Sequence, residues 1–89
     1  MRKLDMGRDA YKFVADLDAK RFRQVVKKAF SLLTDPEPAD ASKLKGYDEY
    51  WRTDIGEYRI VYRFDDGTVY LVVIGKRNDD EVYKDLGRK

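Results

Sequence analysis

Histidine and cysteine are both absent from the 89 residues of this chain. Lack of cysteine excludes a disulfide framework and a thiolate zinc site. Lack of histidine removes the side chain whose unperturbed pKa lies nearest neutrality, so any catalysis must rest on Asp, Glu, Lys, Arg or Tyr. No apolar run approaches the roughly 20 residues that span a bilayer, and the N-terminus has no apolar signal-peptide core. A cytoplasmic protein with no membrane partner is therefore expected. A strong excess of one charge is missing too: 19 basic residues face 17 acidic ones, for a net charge of +2. That balance is too even to argue for nucleic acid, and only clustering of the cations could do so.

What is present is 43% hydrophobic and 40% charged, the make-up of a soluble globule with a thin core and a dense ionic surface. A chain this short buries one core, so residues 1–89 are expected to form a single domain. Leu4 and Met6 alternate with polar neighbours and suggest a short edge strand. Ala10, Phe13, Val14 and Leu17 then fall on one helical stripe, which Asp9 could cap. After Asp18 the stripe resumes with Phe22, Val25, Val26, Ala29, Leu32 and Leu33, and Lys or Arg residues occupy the other positions. Asp35-Pro36-Glu37-Pro38 stops this second helix, and a surface connection is expected to run to about Ser42.

From Tyr50 the spacing becomes that of strands: Trp51, Thr53 and Ile55; Tyr58, Ile60, Tyr62 and Phe64; Val69, Leu71 and Val73. Gly56-Glu57 and Asp66-Gly67 suit two-residue hairpin loops. That geometry would set Asp54 opposite Arg59 and Trp51 opposite Tyr62, then Phe64 opposite Val69, Tyr62 opposite Leu71 and Ile60 opposite Val73. The predicted architecture is α+β, a helical hairpin packed on one face of a small antiparallel sheet, with a short C-terminal segment. The opposite face would carry Arg52, Asp54, Arg59, Val61, Arg63, Tyr70, Val72 and Ile74. Arginines on an apolar floor suggest a face that a partner covers. Lys76, Arg77 and Tyr83 are expected near the strand end that adjoins Arg59, and paired guanidinium groups suit a charged phosphorane. The pattern alone favours a plainer reading, in which Arg59 and Asp54 form an ordinary cross-strand ion pair, Arg52 and Arg63 are solvated, and Tyr83 packs.

Lys43-Leu44-Lys45-Gly46, Tyr50-Trp51-Arg52, Gly56-Glu57-Tyr58-Arg59-Ile60-Val61-Tyr62, Gly75-Lys76-Arg77 and Val82-Tyr83 resemble, in order and spacing, the RelE branch of the RelE/ParE toxin superfamily. The likeness reaches back to Asp9. It implies a ribosome-dependent, metal-independent endoribonuclease that needs no cofactor. Such an enzyme cuts messenger RNA in the ribosomal A site by attack of the ribose 2'-hydroxyl on the adjacent phosphate, and a cognate antitoxin restrains it. Carried onto this chain, the resemblance gives Arg59 the phosphorane, makes Arg77 a candidate acid for the leaving 5'-oxygen, and has Tyr83 stack on a base. Arg52 would contact the RNA backbone, with Arg63 and Lys76 as further substrate contacts, while Lys43, Lys45 and the lysines of the second helix would face ribosomal RNA. Some relatives have a second basic residue, implicated as the base, where this chain has Asp54. That carboxylate is then a weak but ionised proton acceptor, or it orients Arg59. Two other functions fit the same scaffold: a ParE-like toxin that inhibits DNA gyrase without cutting RNA, and a relative that only binds an antitoxin or regulates its operon.

Overall fold

Helical spacing before Pro36 and strand spacing after Trp51 sort residues 1–78, those that the computed structural model describes, into two helices and five strands. In chain order these are β1 (Lys3–Met6), α1 (Arg8–Ala15), α2 (Ala19–Ser31), β2 (Ser42–Lys43), β3 (Trp51–Ile55), β4 (Tyr58–Phe64) and β5 (Thr68–Lys76). The strands form one sheet in the order β1-β5-β4-β3-β2. The three long strands are antiparallel, as the two hairpin loops require, whereas β1 joins the far edge parallel to β5. Strand β2 starts where the expected connection ends, at about Ser42, and the spacing did not indicate it; it pairs Ser42 with Arg52 and Lys43 with Trp51.

Helix α1 begins one residue before Asp9, so the cap expected there is replaced by Gly7, which offers no side-chain cap. Gly7 is needed for a different reason. Its N–H donates to the Leu71 carbonyl at 2.8 Å, and a Cβ added to it would sit 2.8 Å from that same oxygen. The chain thus turns from β1 into α1 directly against β5, where only a missing side chain fits. Helix α2 is capped as its sequence indicates, with the Asp18 carboxylate accepting from the Arg21 N–H at 2.8 Å. The helix closes at Ser31, ahead of the prolines, through tighter bonds from Leu32 to Ala29 and Leu33 to Phe30.

Ala10, Val14, Val25, Ala29 and Leu32 bury the helix stripes against Tyr58, Ile60, Tyr62, Val69, Leu71 and Ile74. Phe13 meets the Tyr58 ring edge-on at 5.5 Å. Tyr62 is fully buried, yet its hydroxyl donates to the Pro36 carbonyl at 2.6 Å and so anchors the proline connection to the core. Burial, with Asp40, Asp35 and Glu37 nearby, pushes this phenol far above its ordinary pKa and keeps it a donor.

The first hairpin has the expected register, and Gly56 takes the positive φ of 58° that a glycine-first turn needs. The second departs from it. Phe64 faces Val69 and Tyr62 faces Leu71, but Val61 then faces Val73 and Ile60 faces Ile74, because the register shifts between Val61 and Tyr62. The extra residue on β5 is a bulge, and it reverses the faces expected for Val73 and Ile74. Ile74 joins the core under the helices, and Val73 joins a small second cluster on the other face with Leu44, Val61, Tyr50 and Val72. Leu44 and Tyr50, from the segment between β2 and β3, therefore cover part of the apolar floor that the sequence left open.

Two substitutions test these constraints. Gly7→Ala is expected to lower stability by about 1–3 kcal/mol through overpacking against the β5 backbone. Tyr62→Phe is expected to cost about 1–2 kcal/mol, because it leaves the buried Pro36 carbonyl without its donor. Urea denaturation followed by circular dichroism reads both.

A candidate anion-binding site on the sheet face opposite the helices

Residues directly opposite across an antiparallel pair share a face, so the pairing of Asp54 with Arg59 puts both on the side away from the helices. The contact is two-pronged. Arg59 Nε donates to Asp54 Oδ1 at 2.8 Å, and Nη2 donates to Oδ2 at 3.2 Å. The Arg59 side chain is only 16% exposed, which fixes the fork more firmly than a solvated strand arginine would be. The bulge contributes directly, because it places Gly75 opposite Arg59 and so leaves that position on β5 without a side chain.

Two more guanidinium groups act on the same carboxylate. The hydrogen bonds from Arg59 hold the Asp54 carboxyl below its ordinary pKa, against the opposing effect of burial, and the charges of Arg59, Arg52 and Arg77 add to this. Arg52 is two residues before Asp54 on β3, on the same face. Arg77 follows β5 directly, and its N–H donates to the Glu57 carbonyl at 2.9 Å, pinning it beside the first hairpin turn. Arg52, Asp54, Arg59 and Arg77 thus come together in one cluster.

The other candidates lie elsewhere. Arg63 is on the same face but two pleats along β4, about 13 Å from Arg59, and it stacks on the Tyr70 ring at 3.9 Å. Tyr70 in turn donates to Asp65 at 3.1 Å, so Arg63 belongs to a local stack at the second hairpin. Lys76 is inside β5, not beyond it, and pairs with Tyr58, which puts it on the side of the helices. The Lys43 ammonium sits 5.8 Å from the centre of the Trp51 ring, on that same side. Lys45 lines a shallow depression of about 290 Å³ with Lys43, Leu44, Tyr47 and Arg52. Tyr83 is outside the described residues. On α2, Lys28 is engaged by Asp40 at 2.7 Å.

Leu44 and Tyr50 stand in the quoted motifs, but sequence reasoning gave no role to either of them or to Tyr47. Their signal was the recurrence of apolar and aromatic residues around Gly46, a turn glycine with φ of 85°. Chemically, the cluster offers permanently charged donors gathered around one ionised carboxylate, a surplus of positive charge that suits an anion. Among the described residues, no group of three or more His, Cys, Asp or Glu is placed to hold a metal ion, and no helix is long and apolar enough to cross a membrane.

Comparison with known proteins adds the family. The sequence family described as ParE toxin of type II toxin-antitoxin system, parDE, matches over residues 5–81. No curated protein matches the chain in sequence. Among solved structures, a free Escherichia coli RelE toxin variant superposes with a TM-score of 0.80 at 26% identity, covering 98% of this chain and 95% of that one. The toxin in the intact E. coli RelBE toxin-antitoxin complex gives 0.73 at 27% identity, over 85% and 96% of the two chains. That in the RelBE2 toxin-antitoxin complex of Mycobacterium tuberculosis gives 0.74 at 24% identity, over 85% and 98%. By its sequence over most of its length, and with the RelE fold on which that sequence is arranged, the chain belongs to the ParE toxin family of type II toxin-antitoxin systems, within the RelE/ParE superfamily.

Proposed function

We propose that this toxin is a ribosome-dependent endoribonuclease that cuts messenger RNA in the A site. The observation that carries the reading is the convergence of Arg52, Arg59 and Arg77 on Asp54, with Arg59 clamped in place. In the reaction the 2'-hydroxyl gives up its proton as its oxygen bonds to the adjacent phosphorus, the bond to the 5'-oxygen breaks, and that departing oxygen takes up a proton to become a hydroxyl. Negative charge builds on the phosphoryl oxygens meanwhile. Arg59, held by Asp54, stabilises that charge at no cost of reorganisation. Arg77 assists the leaving oxygen, Arg52 holds the backbone, and Tyr83 stacks on a base, the roles that the resemblance to RelE toxins implies.

Asp54 is best placed as the positioning residue for Arg59. Its depressed pKa keeps it ionised at neutral pH but makes it a weak proton acceptor. Lys45, with the basic side of α2, contributes affinity for RNA phosphates in a salt-dependent way. A cognate antitoxin is the expected protein partner, since RelE relatives have been solved in complex with theirs. The site of action is the cytoplasm. The family description, ParE toxin, favours a second reading in which the same scaffold poisons DNA gyrase without cutting RNA.

Induced expression followed by mapping of messenger 5' ends separates the two. Cuts within codons that require translating ribosomes are the expected result, and gyrase-linked DNA breaks with intact messenger would overturn it. Arg59→Ala and Arg77→Ala should each lower cleavage by about 100- to 1000-fold, the scale of losing one donor to a developing oxyanion. Folding should survive both changes.

Asp54→Asn keeps an acceptor for Arg59 but removes the charge, and a loss of about tenfold in cleavage is expected. Its effect on stability has a definite pH sign. Asp54 has a lower pKa folded than unfolded, so its stabilisation is present above about pH 4 and disappears as pH falls through the depressed value. The stability gap between the parent protein and Asp54→Asn should therefore be open at neutral pH and close in acid. Denaturant titrations of both proteins across that range provide the check.

A further inference from the structure

The depression lined by Lys43, Leu44, Lys45, Tyr47 and Arg52 shares Arg52 with the arginine cluster, and its aromatic member, Tyr47, has no role assigned above. Its walls come from a built loop. The Leu44 N–H donates to Tyr50 O at 2.9 Å, Tyr47 N–H to Leu44 O at 3.1 Å, and Tyr50 N–H to Tyr47 O at 3.0 Å. Gly46 makes the turn possible with its left-handed φ of 85°. Leu44 and Tyr50 root the loop in the second apolar cluster, on Val61 and Val73.

Tyr47 is the unusual member. The residue remains 38% exposed, although the ring is flanked by Tyr50 at 6.0 Å between centroids. An aromatic ring left in water costs hydrophobic free energy, and here the loop also restrains it. Beside it stand Lys45 and Arg52, and Lys43 lines the same depression. The acidic residues of the same loop, Asp48 and Glu49, do not line the depression. A restrained π-face next to cations is the combination that single-stranded nucleic acid requires, with stacking for the base and charge for the phosphate.

We propose that this depression is a nucleotide subsite, in which Tyr47 stacks on a base flanking the scissile phosphate while Lys45 and Arg52 hold that nucleotide's phosphate. The inference rests on the ribonuclease reading and extends it from the reacting phosphate to a neighbouring nucleotide. Because stacking depends on the base, Tyr47 influences where the toxin cuts as well as how tightly it binds. Arg52 links the two places, and this ties occupancy of the subsite to the position of the strand over Arg59.

The test uses the full-length toxin and ribosomes translating a messenger of defined sequence. Parent protein, Tyr47→Ala and Tyr47→Trp are compared by the ribosome concentration for half-maximal cleavage and by the distribution of cuts among codons. Loss of one stacked base should raise the half-maximal concentration for Tyr47→Ala about tenfold and shift its cut distribution, while Tyr47→Trp keeps both near the parent values. A general loss of folded protein would scale all sites together and leave the distribution unchanged. If the parent protein cleaves and Tyr47→Ala matches it in both readouts, the subsite is overturned and the ribonuclease reading stands. Uniform loss at all codons that Tyr47→Trp does not relieve also overturns the subsite. If the parent protein cuts no messenger, the ribonuclease reading fails, and the subsite with it.

Discussion

Strand β4 lies between β3 and β5, and the way it pairs with β5 decides which side of the sheet the end of β5, from Val73 to Lys76, presents. Up to Tyr62 and Leu71 the two strands pair in step from the Asp66-Gly67 turn, and one residue later the step is lost. A side-chain period of two makes a single extra residue exchange the faces of everything beyond it. Ile74 thereby reaches the core, Val73 goes to the opposite cluster, and glycine comes to stand across from Arg59. A continuous ladder would have put Ile74 across from Arg59, with a branched side chain where the bulge leaves none.

Arg59 and Asp54 depend on that arrangement and on the first hairpin. A salt bridge on a sheet surface usually contributes little, because solvent screens it and two side chains lose freedom. This one is partly sheltered and two-pronged, so it immobilises a guanidinium group instead of merely neutralising it. The surplus of positive charge is then local. One carboxylate is shared by three arginines in a chain whose total charge is only +2. Clustering supplies what the overall composition lacks.

The sheet divides labour between its faces. One face and the two helices form the main core, which the RelE fold shares across relatives of low identity. The other face is sealed at its centre by Leu44 and Tyr50, with cations left at its rim. The family match and the structural likeness agree on the scaffold while bearing the names of two branches, ParE and RelE. Scaffold alone does not choose between them, since function lies in the side chains that the scaffold presents. Here those are the arginines around Asp54.

Periodicity and turn residues are local signals, and from them the two helices, the three long strands, both hairpin loops and the pairing of Asp54 with Arg59 were legible. The edge strand at Leu4 and Met6 was legible for the same reason, although its parallel pairing with β5 was not. The bulge became visible only with the strands paired: Leu71-Val72-Val73-Ile74 is apolar throughout, and such a run offers no alternation from which to read a face. Tertiary structure likewise decided that Gly7, not Asp9, begins α1, through a backbone contact with Leu71 that is distant in sequence. The places of Lys76 and Lys43 followed from cross-strand partners, Tyr58 and Trp51, and the cover of Leu44 and Tyr50 from long-range packing. Such contacts leave no periodic trace along the chain, so they become visible only once the strands have paired.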